Sequence, residues 1–562
     1  MLIWNLLWNL EILMITISMN VGNSKLIINN KKGSAIAYAL VIIAMISILL
    51  SSMIQFIANN SKSSFQVQSK EEAFQIAEAG VNFYRWYLAH ETDGRTAMQV
   101  RDFWQNTSPY PYGVNHQFDR EYVDAQGGAI GKYSINVSNP DPSSTIVDVI
   151  VEGSTYKYPT VKRTIKVRFR RPSWSEDSVL ANDFMRFGEG TVVNGKIHSN
   201  SGIRFDGIAT NIVSSSLSTI DDPDHTGGIE FGVHTHVNVP PATGVNDNQR
   251  PLEAPPNAVA QRIDVFRAGR VFPAPQIDFA SVVSDISYMR SQASQKFDNS
   301  GAGRRIILKA DGTFDVCKVN SYSSTTNAIT DYAGITVGAS GAYAATNGSV
   351  CSSPTTVCCN NGTIACNWIA NGTHSKGKCL SMDNYPIPNK GIIFVANNIW
   401  LEGTVSGRRV SLVAAELSDE PVGGGVANTG GNKSVFLGMN NLLYSTFDGS
   451  DIIGVIAQKD VEVIKDSQSN LTIDGALLAK EGRVGRNSYG SNKSTITING
   501  SIATNNRYGF AYVGNTYNCG GGVTVGDGYC FRNLNFDNNL LYYPPPYFPT
   551  GTQYSIDKWE EN

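Results

Sequence analysis

The chain has 562 residues and a formal net charge of −3, with Lys+Arg 45 against Asp+Glu 48 and 17% of residues charged. That balance excludes the broad basic surface of a nucleic-acid binder and an acidic solvating tail, and the length calls for two to four domains at about 100–200 residues each. Gly 53, with abundant Asn, Ser and Thr, points to a turn-dense β protein.

Residues 1–19 are apolar with Glu11 in the middle. They read as a second short hydrophobic segment or as sequence upstream of a start at Met19; the second is preferred and leaves a short basic leader with Lys25, Lys31 and Lys32, giving a leader over 1–33. Ser34 to Ala58 is 25 residues without a charge, and about 20 apolar residues cross a bilayer core. A cleaved signal peptide is the alternative, but the run is longer than an h-region of about 7–15 residues and no A-x-A site closes it. The lysines before it, and the delay of acidic residues to Glu71 and Glu72, place the N-terminus in the cytoplasm and the chain after Asn59 outside.

From Asn59 to about His90 there is no proline, and Gly80 is the one glycine. Phe65, Phe74, Ile76, Ala77, Val81, Tyr84 and Leu88 recur at three- and four-residue spacings, which predicts a single helix that leaves the membrane and enters a soluble domain. The basic leader ending Lys31-Lys32-Gly33-Ser34, then the apolar helix, then Ala73-Phe74-x-x-Ala77-Glu78-Ala79-Gly80 resembles the type IV pilin-like proteins of the PilX class. It is also similar to the large K-type minor pseudopilin of type II secretion. The resemblance covers about 60 residues. It implies cleavage by a prepilin peptidase between Gly33 and Ser34, methylation of the new N-terminus, and assembly with other pilin-like subunits on a pilus platform. Most pilins carry Glu five residues into the mature chain, where this sequence has Tyr38. The K-type and many PilX-class proteins also lack it, and resemblance to them implies a tip or initiating position. Some 470 residues after the helix would crowd a filament body, which argues the same way. The plainer roles are an interfacial aromatic for Tyr38 and a solvated helix charge for Glu78.

Lys132–Val137, Thr145–Glu152 and Val161–Arg170 read as strands, the last alternating cleanly, so residues 59–172 are expected to hold the soluble half of the helix and a small pilin-like antiparallel sheet. After Ser173 a short unit, apolar–(Asn/Asp/Glu)–Gly–x–apolar, recurs around Gly195, Gly403, Gly475 and Gly500, with near-copies at Gly207 and Gly454. Such repeats predict a β-helix-like solenoid, with a β-sandwich as the alternative. The expected layout is a first part over 173–240, an insertion over 241–389 with a helix at Phe279–Phe297 and Cys-rich loops, a main β-helix over 390–539, and a Pro/aromatic strap over 540–562 that covers the last coil. The overall class is α+β, mainly β. The pieces Asn194–Asn200, Ile393–Thr404 and the Tyr-Pro-Pro-Pro end resemble large extracellular regions that follow PilX-like helices in bacteria.

The eight cysteines, Cys317, Cys351, Cys358, Cys359, Cys366, Cys379, Cys519 and Cys530, all lie beyond the membrane segment, which reads as an oxidising compartment with disulfides. Cys519 and Cys530 are expected to pair; the pairing of the others is open. No C-x-x-C supports zinc on the cysteines. His234 and His236, with Asp221, Asp222 and Asp224 nearby, have metal-ligating chemistry, but the expectation is polar residues on a surface loop and no metal. His198 reads as a turn hydrogen-bonder. There is no nucleophile elbow, phosphate loop or H-E-x-x-H. Asp448 and Asp451, or Arg483 and Arg486, fit a polysaccharide-cleaving face only by analogy.

The sequence reading is therefore a non-enzymatic minor pilin-like subunit without cofactors or nucleic-acid partners, at or near a filament tip, for assembly priming or surface adhesion. Before assembly it would sit in the cytoplasmic membrane as a single-pass protein with its C-terminus outside. A membrane-anchored polysaccharide-active enzyme and a type II secretion tip pseudopilin are the alternatives.

Overall fold

The computed structural model describes residues 34–561 apart from 106–109, 141–143, 227, 239–251, 280–282, 333–335, 338–342, 345–349, 352–382 and 419–430. The chain divides into two compact units, residues 1–72 with 158–161, and residues 73–157 with 162–562. Helix α1, Ser34–Thr92, belongs to the first by its N-terminal part and to the second from Ala73 on.

In the first unit, Ile36, Ile43, Leu50, Phe56 and their apolar neighbours are exposed all round the helix rather than along one stripe. A helix apolar on every side is suited to lipid or a protein core, not to water. Among the described residues this is the one helix long and apolar enough to cross a membrane.

In the second unit, the C-terminal part of α1 packs on a five-stranded antiparallel sheet. Strands β1 (Phe118–Val123), β2 (Ala129–Val137), β3 (Ile146–Thr155) and β4 (Lys162–Arg170) are consecutive neighbours, and the chain's last strand, Ser555–Glu561, completes the sheet beside β4. Ile76, Val81, Tyr84 and Leu88 on the helix meet Ile135, Val149, Val151, Ile165, Val167 and Phe169, which alternate along the strands as a period of two requires. Helix α2, Ala97–Gln105, adds Val100, Phe103 and Trp104 to this core. Three of these strands match the sequence reading. β1 and the C-terminal strand were not expected.

The rest of the unit is β-rich and mostly parallel: among the described residues it holds one 23-stranded sheet and three small sheets of two, three and three strands. One ladder runs Ile393, Leu412, Val455, Leu477, Ile502, Val179, Ile197, Val213, each residue directly beside the next. All eight are fully buried. A second runs Leu442, Ile473, Ile498, Leu534, Val193, Ala209, and a third Val435, Val461, Val484. Their side chains share one core, and each full burial of such an aliphatic group is worth about 1.5–3 kcal/mol.

The repeated turn unit maps onto this arrangement. Asp474, Asn499, Asn535 and Asn194 stand side by side in neighbouring strands. Each asparagine donates its amide to the carbonyl or carboxylate oxygen before it: Asn499 to Asp474, Asn535 to Asn499 and Asn194 to Asn535, all at 2.8 Å. Glycine follows three of the four, at Gly475, Gly500 and Gly195, while Phe536 follows Asn535. Gly475 and Gly500 have φ near +154° and +153°, and a Cβ on Gly500 would sit 2.0 Å from the Gly475 carbonyl oxygen. Gly403, Gly207 and Gly454 are different positions: Gly403 pairs with Leu442, itself beside Ile473, Ile208 after Gly207 pairs with Val192, and Gly454 pairs with Ala476 rather than Gly475.

Four expectations are corrected. Spatial order differs from chain order: Ile502 is followed in the ladder by Val179, so strands of the 173–240 stretch lie beyond the later strands instead of before them. Residues 241–389 are not a separate insertion throughout: Arg270–Val271 pairs with Val213–Ser214, Gln295–Phe297 with Ile393–Val395, and Gly303–Leu308 with Asn398–Gly403, all in parallel. Within this stretch the helix is shorter than predicted, α3 covering Val283–Gln292. Finally, the strap lies along a face of neighbouring parallel strands, the face opposite the ladder core, instead of over an end. The Ser411 hydroxyl donates to the Pro546 carbonyl at 2.6 Å, and a Cβ on Gly391 or Gly454 would meet Pro546 or Pro545. Its Leu540, Tyr547 and Phe548 join Ile286 and Met289 of α3 in covering that face.

Candidate functional site

The helix element singled out by sequence is the contact between α1 and the sheet. Ala73, Ala77 and Gly80 are buried, Phe74 and Ala79 half-buried, and Glu78 exposed. Ala73 and Ala77 face Gly153 of β3, where a Cβ would lie 2.2 Å from the Ala73 carbonyl oxygen and 2.5 Å from the Ala77 nitrogen, and Gly80 faces Val151 and Tyr133, where a Cβ would lie 2.6 Å from Val151 Cγ1. Four-residue spacing from Ala73 to Ala77, and three more to Gly80, keeps them on one helix face. The element is thus a close-packing surface, and Glu78 points to solvent. Tyr38 is 71% exposed in the first unit. Ser34 is the first residue of α1; Gly33 lies outside the described residues.

Cys519 and Cys530 form a disulfide as expected, bridging the antiparallel hairpin Ala511–Gly520 and Val523–Phe536. Cys317 is also disulfide-bonded. Cys351 ends a short strand, Val350–Cys351, and Cys358, Cys359, Cys366 and Cys379 lie outside the described residues.

The groups considered for sugar cleavage are occupied in the fold. Asp451 accepts hydrogen bonds from the backbone N–H groups of Gly407, Ser445 and Thr446. Asp448 caps a turn through Ser450. Arg486 is fully buried, pairs with Asp527 at 3.3 Å, bonds Ser491 and the Lys465 carbonyl, and lies over Tyr489. Arg483 bonds Asn487 and Tyr512. His198 touches Ser214 and Asn200 at 3.0 and 3.3 Å, and burial pushes its pKa down.

A different cluster is chemically dense. His234, at the end of strand Val233–His234, and His236 are fully buried, not on a surface loop. They converge with Asp222 and Glu230 so that one ligand atom from each lies within 4.8 Å of all the others. His234 Nε2 is 3.2 Å from Glu230 Oε2 and 3.5 Å from Asp222 Oδ2, and His236 Nε2 is 2.8 Å from Glu230 Oε1. Asp221 and Asp224 are exposed; Asp224 pairs instead with Arg186 and Arg507. The sequence reading missed Glu230. The available signal was its placement four residues before His234 in Glu-x-x-x-His-x-His, on the antiparallel hairpin Thr219–Asp221 and Ile229–Phe231. The surroundings fix the cluster: Arg204 bonds Asp206 at 2.7 Å and Asp222 at 3.3 Å, and Asp206 accepts the His236 backbone N–H at 2.9 Å. Beyond Asp206 opens a cleft of about 520 Å³, also lined by Arg186, Arg507, Tyr508, Tyr512 and Arg532. Arg532 is committed to the carbonyls of Gly188, Tyr529 and Cys530.

No protein-family model matches the sequence, and no curated protein matches it. Among solved structures, the competence-associated pilin ComZ from Thermus thermophilus is similar at 13% identity, over 88% of this chain and 98% of that one, with a TM-score of 0.26.

Proposed function

We propose that this chain is a minor pilin-like structural subunit of a type IV pilus-family filament. The observation that supports this most is α1 itself: an apolar helix exposed on all sides, whose C-terminal part is a close-packing face of Ala73, Ala77 and Gly80 against an antiparallel sheet. Lateral packing in a membrane and then in a filament would cover the exposed apolar part. In this reading a prepilin peptidase cuts between Gly33 and Ser34, as the PilX-class resemblance implies. The parallel ladders wind as a β-helix carried at or near the tip, for priming or surface contact. The chain acts without catalysis: Asp448, Asp451 and Arg486 hold turns, and Arg483 is bonded within the fold. The test is to shear filaments from cells and separate them from membranes. Recovery of this chain with pilin-like subunits in the filament fraction supports the proposal, and its confinement to membranes despite abundant filaments refutes it.

A further inference from the structure

We propose that Asp222, Glu230, His234 and His236 form a structural site for one divalent transition-metal ion of the zinc class. The ion would tie the Thr219–Phe231 hairpin to the strand Val233–His234. This goes beyond the filament reading and does not depend on it.

The argument starts at His234. Its Nδ1 is 2.9 Å from the Phe231 carbonyl oxygen. A carbonyl only accepts, so Nδ1 carries the hydrogen. In the neutral ring Nε2 then presents a lone pair, and it makes no hydrogen bond although its side chain is 0% exposed. That lone pair is aimed between two carboxylate oxygens, at 3.2 and 3.5 Å. Lone pairs facing lone pairs in a buried site need a cation between them. Four donors around zinc at bonds of 2.0–2.1 Å stand about 3.3 Å apart; His234 Nε2 stands 3.2 and 3.5 Å from its two carboxylate oxygens, and the whole donor set lies within 4.8 Å.

The donor set selects the ion. Two imidazoles and two carboxylates, with no sulfur, suit zinc and its first-row neighbours. Calcium takes six to eight oxygen ligands, and magnesium keeps several waters. Four buried protein ligands make a closed site, which is the structural kind rather than the catalytic kind. The outer contacts are those of a ligand shell. The Phe231 carbonyl fixes the His234 tautomer, Arg204 holds Asp222, and Asp206 holds the backbone at His236.

A proton on His234 is the competing cation, and the experiment separates the two. The full chain is purified in detergent without metal-affinity steps and its metal measured by mass spectrometry. It is then stripped with a chelator and titrated with Zn²⁺, Ca²⁺ or Mg²⁺. The expected result is about one zinc per chain, a fall in melting temperature on stripping, and recovery with Zn²⁺ alone. His234→Ala and Glu230→Gln should abolish stoichiometric binding, and His198→Ala, outside the cluster, should keep it. If the cluster variants do not fold, stripping and refilling the unaltered chain decides. Failure to retain zinc after dialysis, with a melting temperature indifferent to the metal and falling as the pH rises, would mean a buried imidazolium and overturn the proposal. So would loading by Ca²⁺ or Mg²⁺ in place of Zn²⁺.

Discussion

Gly153→Ala tests whether the small-residue face of α1 is a contact of backbone on backbone. The new methyl would lie 2.2 Å from the Ala73 carbonyl oxygen and 2.5 Å from the Ala77 nitrogen. Neither atom belongs to a side chain that can rotate away, so the helix must lift or the strand must bend. Overpacking of this kind costs about 1–3 kcal/mol, and backbone neighbours place it at the upper end. Gly80→Ala is the control from the other side. Its methyl meets side chains rather than backbone, Val151 Cγ1 at 2.6 Å and the Tyr133 ring at 3.0 Å, and alanine returns about 1 kcal/mol of helix propensity. The assay is hydrogen exchange of the β3 amides, which reads local opening inside a large chain. Gly153→Ala should weaken protection there roughly 100-fold, and Gly80→Ala by tenfold or less. Unchanged protection in Gly153→Ala, or a larger loss in Gly80→Ala, would refute the reasoning.

Three further outcomes follow from the β-rich region. Asn499→Ala breaks two bonds of the asparagine ladder, to Asp474 and from Asn535, and should cost about 1–3 kcal/mol, read as faster proteolysis between Asn470 and Phe536. Burial pushes the Glu462 carboxyl up to about 7, Arg483 opposing and Asp460 adding to it. The folded-state pKa is above the unfolded one, so the favourable contribution is complete at low pH and is lost as the pH rises through 7. Glu462→Gln should therefore stabilise the chain by roughly 2–3 kcal/mol at pH 8 and by little at pH 4, as compared by thermal melting. Replacing Cys519 and Cys530 by serine should remove about 2–3 kcal/mol of constraint from one hairpin, making Ala511–Phe536 protease-sensitive while exchange protection in β2 and β3 is unchanged.

Local patterns carried much of this structure. Absence of proline and three-four spacing gave the extent of α1, and strict alternation gave β4. The Asn/Asp-Gly unit marked positions where one side chain must bond its neighbour and the next residue must have no Cβ. Longer-range facts were harder to read. Nothing within either stretch encodes that Ile502 stacks beside Val179, because the strands of the ladder offer similar aliphatic residues. The C-terminal strand has only Ile556 and Trp559 as apolar residues, at a spacing of three, so alternation is silent. Its signal was charge: Asp557 pairs with Arg170 and Glu561 with Arg163, an acidic edge on a basic strand. At the His cluster, polar composition suggested a surface loop, and only the folding of a hairpin over His234 and His236 makes it an interior. The strap announced itself by its prolines, but the face it covers is built from glycines and serine far apart in the chain.

The central claim, that this is a processed pilin-like subunit, is tested most directly by the mass and N-terminal sequence of the chain made with and without a prepilin peptidase. The account predicts a mature chain that begins at Ser34, methylated, only when the peptidase is present. An identical, uncut N-terminus in both preparations would contradict it and leave a membrane-anchored β protein outside any filament.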